Sequence, residues 1–322
     1  MKPMISVTEK TLQDLEFNTI LETISSKCNT DIGNQKTLLI KPFKDQETLL
    51  RELHHTSEYL ASFTNNNAIP NHGFEEISHE LKFLKIEDSF LEQISFKKIA
   101  AITDTAIQLL KFLKKFEEYY PTLYLKSAEV EQCKYILEKI DIVFDKYGEL
   151  KNNASPDLLN IRKSIQLVRG KINQSFGLAL SQYNSAGYLD DIKESIVENR
   201  RVLAVLAMYR KKVKGSILGN SKTGSIAYIQ PEATLRYSRE LNVLEYEERE
   251  EIVRILKRLT NEIRPFRETL KDYQNFLSDI DVIAAKAKYA NTINGILPTI
   301  TQEKRLFFRE AFHPILYINN KA

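Results

Sequence analysis

Apolar positions recur through most of this chain with a helical period, and one stretch in the middle breaks that period. Leu12, Leu15, Ile20 and Ile24 predict a first helix, and Leu49, Leu53 and Leu60 a second. Ser95 is placed to N-cap a third, with Ile99, Ile102, Ala106, Leu109, Leu110 and Leu113 along one side and an end before Pro121. Val130, Ile136, Leu137 and Ile140 predict a fourth. The polar run 65–73, with its three consecutive asparagines, reads as a loop, and 147–154 as a turn-rich break.

After the break the pattern lengthens. Ser155 and Pro156 suit the N-cap and N1 positions of a long helix, in which Leu158, Ile161, Ile165, Val168, Ile172 and Ala179 keep 3-4 spacing and Ser175 fills the vacant place. Gly170 and Gly177 each weaken this helix by about 1 kcal/mol relative to Ala, so it needs a partner. A second seam supplies one: Leu256, Leu259, Ile263, Phe266, Leu270, Tyr273, Leu277 and Ile280 step 3-4 without a miss. A helix over 232–280 would be roughly 70 Å long at 1.5 Å per residue. Pro265 is expected to kink it. Two seamed helices joined by an excursion predict an antiparallel arm, with Ile165 and Val168 facing the second seam. The excursion reads as four short strands, 195–197, 202–208, 213–218 and 225–229, closed by Pro231.

Charge makes the excursion more than a connector. Arg200, Arg201, Arg210, Lys211, Lys212, Lys214 and Lys222 fall in a span with no acidic residue, on a chain whose net charge is only +3. The rest of the chain is therefore net negative, and a localised basic patch has a polyanion as its natural partner. Lys and Arg also protect edge strands from aggregation, and that reading stays open here. Composition adds bounds. Ten glycines and nine prolines are few for 322 residues and favour helix. Cys28 and Cys133, far apart and in no Cys-x-x-Cys, predict reduced thiols and a cytoplasmic setting. The first ten residues lack the apolar core of a signal peptide. The longest apolar run, 202–209, is far short of the roughly 20 residues a membrane helix needs, so no membrane partner is expected.

Three segments of the excursion carry a resemblance: Glu198-Asn199-Arg200-Arg201-Val202-Leu203-Ala204-Val205, Lys212-Val213-Lys214-Gly215-Ser216-Ile217, and Thr223-Gly224-Ser225-Ile226-Ala227-Tyr228-Ile229-Gln230-Pro231-Glu232. Together they resemble the clamp of MutS-type proteins, and within that family the bacterial MutS-II group, the branch that does not recognise mismatches. Gly148-Glu149-Leu150 with 154–158 and Ile161-Arg162 is similar to the entry into that group's clamp arm. Thr11-Leu12, Leu15-Glu16-Phe17 and Ile20-Leu21 resemble its N-terminus, while 285–290 and Ala311-Phe312-His313-Pro314-Ile315-Leu316 resemble the return from lever to ATPase domain. The resemblance covers nearly the whole chain in order. It implies a mainly α fold: a helical lever (1–154), an ascending arm helix (155–185), a four-stranded basic β clamp (186–231), a descending arm helix (232–280) and a return segment (281–322).

Members of the group carry a P-loop beyond the His-Pro-Ile-Leu element, and many an Smr nuclease domain; this sequence stops at Ala322, before either. The nearest internal imitation, 215–223, has Ser216 and Ser221 where a Walker A needs glycines, and it leads into a strand instead of a helix N-terminus. Phe266-Arg267-Glu268 and Phe308-Arg309-Glu310 imitate the Phe-x-Glu mismatch reader out of context. No catalytic residue and no cofactor is therefore expected in this chain, with ATP and Mg expected only in a downstream domain. His54, His55, His72, His79 and His313 show no metal-ligand spacing and read as solvated or capping residues. Glu245, Glu247, Glu248, Glu250 and Glu251, interspersed with basic residues, read as an exposed charged face. The resemblance implies a homodimeric ATPase whose clamps close on branched DNA, suppressing recombination, or on rRNA of a stalled ribosome. The seven basic residues would then contact phosphates. The alternative is a protein-interaction or dimerisation arm with an incidental basic tip.

Overall fold

The computed structural model describes residues 7–301, 303 and 305–321. Residues 1–6, more than half of the decapeptide read above as lacking a signal, lie outside them. The chain forms two compact units: Leu150–Leu256 make one, and the segments on either side of it make the other.

The flanking segments form a helical unit. In order its helices are α1 (Glu9–Asp14), α2 (Phe17–Ser25), α3 (Asp31–Leu38), α4 (Gln46–Ala61), α5 (Ser78–Lys85), α6 (Gln93–Lys115), α7 (Pro121–Ser127) and α8 (Tyr135–Val143). The expected first helix is two, because Glu16 takes a left-handed conformation (φ 51°) and Leu15 is exposed. Ser95 does not cap α6. The helix starts two residues earlier, and the Ser95 hydroxyl donates to the buried carboxylate of Glu80 at 3.1 Å.

A later helix, α11 (Arg267–Thr292), is the core of this unit and packs against α2, α3, α4, α5 and α6. Leu270, Tyr273, Leu277, Ile280, Ala284, Ala285 and Ala287 are all essentially inaccessible. A helix apolar on several sides must be buried on several sides. The seam expected to face the 155–183 helix thus has other partners: from Leu259 onward its buried residues are covered within the helical unit. Pro265 acts as expected, since a 3-10 turn (Arg264–Phe266) separates α11 from the preceding helix, α10 (Glu232–Ile263). Arg264 secures that turn by donating to the carbonyls of Leu84 and Ser89 at 2.8 and 2.9 Å.

The other unit holds α9 (Pro156–Ser185), four strands and the first part of α10. Ser155 caps α9 by accepting from Leu158 N–H at 3.0 Å. Three contacts order the two helices antiparallel: Ser155 Oγ to Glu251 at 2.7 Å, Arg162 to Glu248 at 2.7 Å, and Arg169 to Glu245 at 3.1 Å. The acidic run is therefore not simply a solvated face. Three of its five members tie α10 to α9, and Glu251 is only 5% exposed. The same pairs set Ile165 and Val168 beside the 245–248 turn of α10, well before the seam that starts at Leu256.

Strands β1 (Leu189–Val197), β2 (Arg200–Leu206), β3 (Gly215–Asn220) and β4 (Ile226–Pro231) form one antiparallel sheet in the order β1-β2-β4-β3. The four expected strands are present. β1 starts earlier than read because a bulge between Leu189 and Glu194, with Lys193 at φ 60°, hides its alternation. Glu198 and Asn199, both left-handed, make the two-residue hairpin turn to β2. One sheet face packs Leu203, Val205, Ala227 and Ile229 onto Phe176 of α9.

Candidate nucleic-acid interface

The sheet register decides where the seven basic residues stand. Leu206 pairs with Ile226 at one end of β2, while at the other end Val197 pairs with Arg200. The ends are roughly 20 Å apart at about 3.3 Å per residue.

Four basic residues lie on the connection that leaves the Leu206 end and on the β3–β4 turn beside it. A 3-10 turn, Ala207–Tyr209, carries the chain into Arg210, Lys211 and Lys212, and Lys212 N–H closes it on the Tyr209 carbonyl at 2.8 Å. Ala207 N–H donates to Ser225 O at 2.9 Å, which ties this turn to the β3–β4 turn carrying Lys222. That second turn is built by its hydroxyls: Thr223 and Ser225 lie 2.8 Å apart, and Ser221 Oγ accepts from Ile226 N–H at 3.1 Å. Gly224 sits there at φ 71°, a conformation a side chain would strain. Arg210, Lys211, Lys212 and Lys222 are all exposed, and none forms an ion pair among the described residues. Lys212 Nζ lies 5.5 and 5.7 Å from the rings of Tyr188 and Tyr209, whose centroids are 4.9 Å apart. Half-buried tyrosines beside free cations offer both phosphate and ring contacts.

The other three stand apart. Arg200 opens β2 and is half-buried, without an ion pair among the described residues. Arg201 is engaged internally: it pairs with Glu194 at 2.6 Å and reaches Asn173 at 3.3 Å, and its guanidinium lies 4.2 Å from the Phe176 ring centroid. Lys214 is exposed next to β3, its N–H donating to the Tyr183 hydroxyl at 3.2 Å and its carbonyl accepting from Glu232 at 3.0 Å. Because Gly215 pairs with Pro231, Lys214 belongs near the Arg200 end. One patch in sequence is spread along the sheet, from Lys222 at one end to Arg200 at the other.

The segment imitating a P-loop is β3 and its turn, and it leads into β4 instead of a helix. Gly215 is required by packing, since a Cβ there would collide with the Gln230 carbonyl. Two histidines are neither solvated nor capping. His55 and His72 are buried in the helical unit, His55 Nδ1 3.3 Å from Glu52 and His72 Nε2 3.6 Å from Asp281. Among the described residues no cluster of His, Cys, Asp and Glu could hold a metal, and no helix is long and apolar enough to cross a membrane. Arg169, Tyr188 and Gln230 escaped the sequence reading. Only the interleaving of aromatic with basic residues around Tyr209 could have pointed to the tyrosines.

No protein-family model matches the chain. Curated relatives do. The protein named Endonuclease MutS2 of Alkaliphilus oremlandii is 27% identical over 313 residues, covering 97% of this chain and 40% of the relative. Those of the same name from Staphylococcus carnosus and Leuconostoc mesenteroides are 26% and 27% identical, each covering 96% of this chain and 40% and 39% of the relative. The chain thus spans about two-fifths of the length of the curated relatives it matches. With nearly all of its residues aligned to proteins of one name, the chain is a partial MutS2-like region.

Proposed function

We propose that the sheet unit is a clamp and the helical unit a lever, and that the clamp engages the sugar-phosphate backbone of branched DNA or of ribosomal RNA. One observation carries this reading: Arg210, Lys211, Lys212 and Lys222, on two segments joined by the Ala207–Ser225 hydrogen bond, are exposed and without ion pairs among the described residues. Cations so placed position a nucleic acid without reading its sequence. In a full-length protein of this kind, ATP and Mg would act in a further domain, and a homodimer would bring two clamps to one substrate. This chain itself would supply contacts and no catalysis.

A protein-interaction arm is the second reading. Ile192, Ile196 and Met208, exposed by 66%, 71% and 76% on the same unit, favour it. A salt titration separates the two. Binding of duplex DNA or structured RNA that weakens linearly on a log–log plot supports the clamp. No binding of either at 50 mM salt overturns it in favour of the arm.

A further inference from the structure

At the Arg200 end of the sheet, a cleft of about 380 Å³ opens between α9, the start of α10 and the β1–β2 turn. Its size falls at the small end of the range for small-molecule sites, roughly 300–1,000 Å³. Ile172 and Leu241 give it apolar wall, and its charged lining is Arg169, Arg200, Arg201, Glu198 and Glu245. Arg169 is paired with Glu245 at 3.1 Å and Arg201 with Glu194 at 2.6 Å, which leaves Arg200 as the cation of the cleft without an ion pair among the described residues.

Gln230 lines the same cleft and is 2% exposed. Its Nε2 donates to Ser238 Oγ at 2.7 Å, while its Oε1 has no donor among the described residues. A covered amide oxygen without a donor has lost its water and gained nothing in return, which native structures seldom tolerate without a reason. A buried acceptor lacking a donor and a cation lacking an anion, on one cleft with an apolar wall, ask for one ligand. It must carry an anionic oxygen, an N–H or O–H donor, and a flat apolar ring.

We propose that this cleft binds a single nucleoside 5′-monophosphate unit. Its phosphate sits on Arg200, a base amine or ribose hydroxyl donates to Gln230 Oε1, and the base lies along Ile172 and Leu241. One arginine without an ion pair among the described residues suits one phosphate better than a polyphosphate. The unit can arrive as a free nucleotide or as the phosphorylated terminal nucleotide of a strand. The proposal goes beyond the clamp reading, because its residues stand at the opposite end of β2 from Arg210 and Lys222.

Calorimetric titration of the full chain with the four ribonucleoside 5′-monophosphates, their nucleosides and inorganic phosphate tests it. At least one monophosphate is expected to bind one site at least tenfold more tightly than its nucleoside or phosphate alone. Gln230→Leu and Arg200→Gln should each weaken that binding tenfold or more. Arg200 is half-buried, so Arg200→Gln keeps the test valid even if Gln230→Leu melts early. No saturable monophosphate binding up to millimolar concentration, or binding that Arg200→Gln leaves unchanged, overturns the proposal. A single-stranded oligonucleotide preferred when 5′-phosphorylated identifies strand ends as the source, and capture of free nucleotides only identifies a free metabolite. Monophosphate binding without duplex or RNA binding leaves this inference standing and removes only the clamp reading.

Discussion

Asp281, fully buried in α11, accepts two hydrogen bonds from Thr30, one from its N–H at 2.9 Å and one from its Oγ1 at 2.7 Å. Asn29 N–H adds a third at 2.9 Å, and Gly33 lies so close that a Cβ would strike the carboxylate. Burial opposes the charge of Asp281, but His72 beside it and the donors of Asn29 and Thr30 outweigh burial, and its pKa lies below the usual carboxylate value. This one side chain joins the start of α3 to the core helix.

Removing the carboxylate leaves its buried donors unpaired. Asp281→Ala is expected to destabilise the helical unit by about 3 kcal/mol or more, and Gly33→Ala to destabilise it as well. Urea unfolding followed by circular dichroism measures both. A loss below about 1 kcal/mol for Asp281→Ala would show that the donors find other partners.

Glu52 supplies a pH dependence. The His55 hydrogen bond is opposed by burial and reinforced by Lys286, 3.1 Å away, and pulls its carboxyl from 4.5 down to about 2. A depressed folded-state pKa stabilises above the unfolded value and loses that stabilisation as pH falls. The contribution should be intact above pH 4.5 and fade towards pH 2. Its size is of the order of 2 kcal/mol. Glu52→Gln should show a shallower drop in melting temperature between pH 5 and pH 2.5 than the parent; parallel curves would refute the assignment.

Ile263 is inaccessible at the end of α10. Ile263→Asp places an unpaired charge there and should cost about 3 kcal/mol or more. An unchanged melting temperature would mean that the seam is exposed in solution.

For the tip, about four phosphate contacts imply a log–log salt slope near −3.6 on duplex DNA. Replacing Lys211 and Lys212 together by alanine should flatten it by about two and weaken all sequences alike. If the double variant binds DNA and structured RNA with the parent's affinity and slope, the tip only aids solubility.

Purified chain should not turn over ATP, since 215–223 forms a strand and a hydroxyl-braced turn instead of a phosphate cradle. Turnover that Lys222→Ala abolishes would overturn this.

Features that depend only on neighbouring residues are legible in the chain before it folds. The helices at Leu49, at Ile99 and over 156–185 follow from local period, and Ser155 with Pro156 starts the last of them because capping involves only the next turn. Glu198-Asn199 and Thr223-Gly224 turn the chain through backbone preferences of their own, so the strands were legible too. The ordered motifs around the sheet carried the family resemblance for the same reason.

Tertiary structure decided which surfaces meet. The 3-4 seam from Leu256 to Ile280 is equally compatible with a coiled-coil partner and with a core, because periodicity tells which side is apolar and never what covers it; α2 to α6 cover its second half, in α11. The acidic run has the pattern of a solvated face, but Arg162 and Arg169, far back in the chain, stand opposite Glu248 and Glu245. Chain order groups seven basic residues that the antiparallel register spreads from the Arg200 end of the sheet to the β3–β4 turn at the other. Gln230 is an ordinary polar residue in the sequence, and only folding buries its amide and leaves one oxygen without a donor among the described residues.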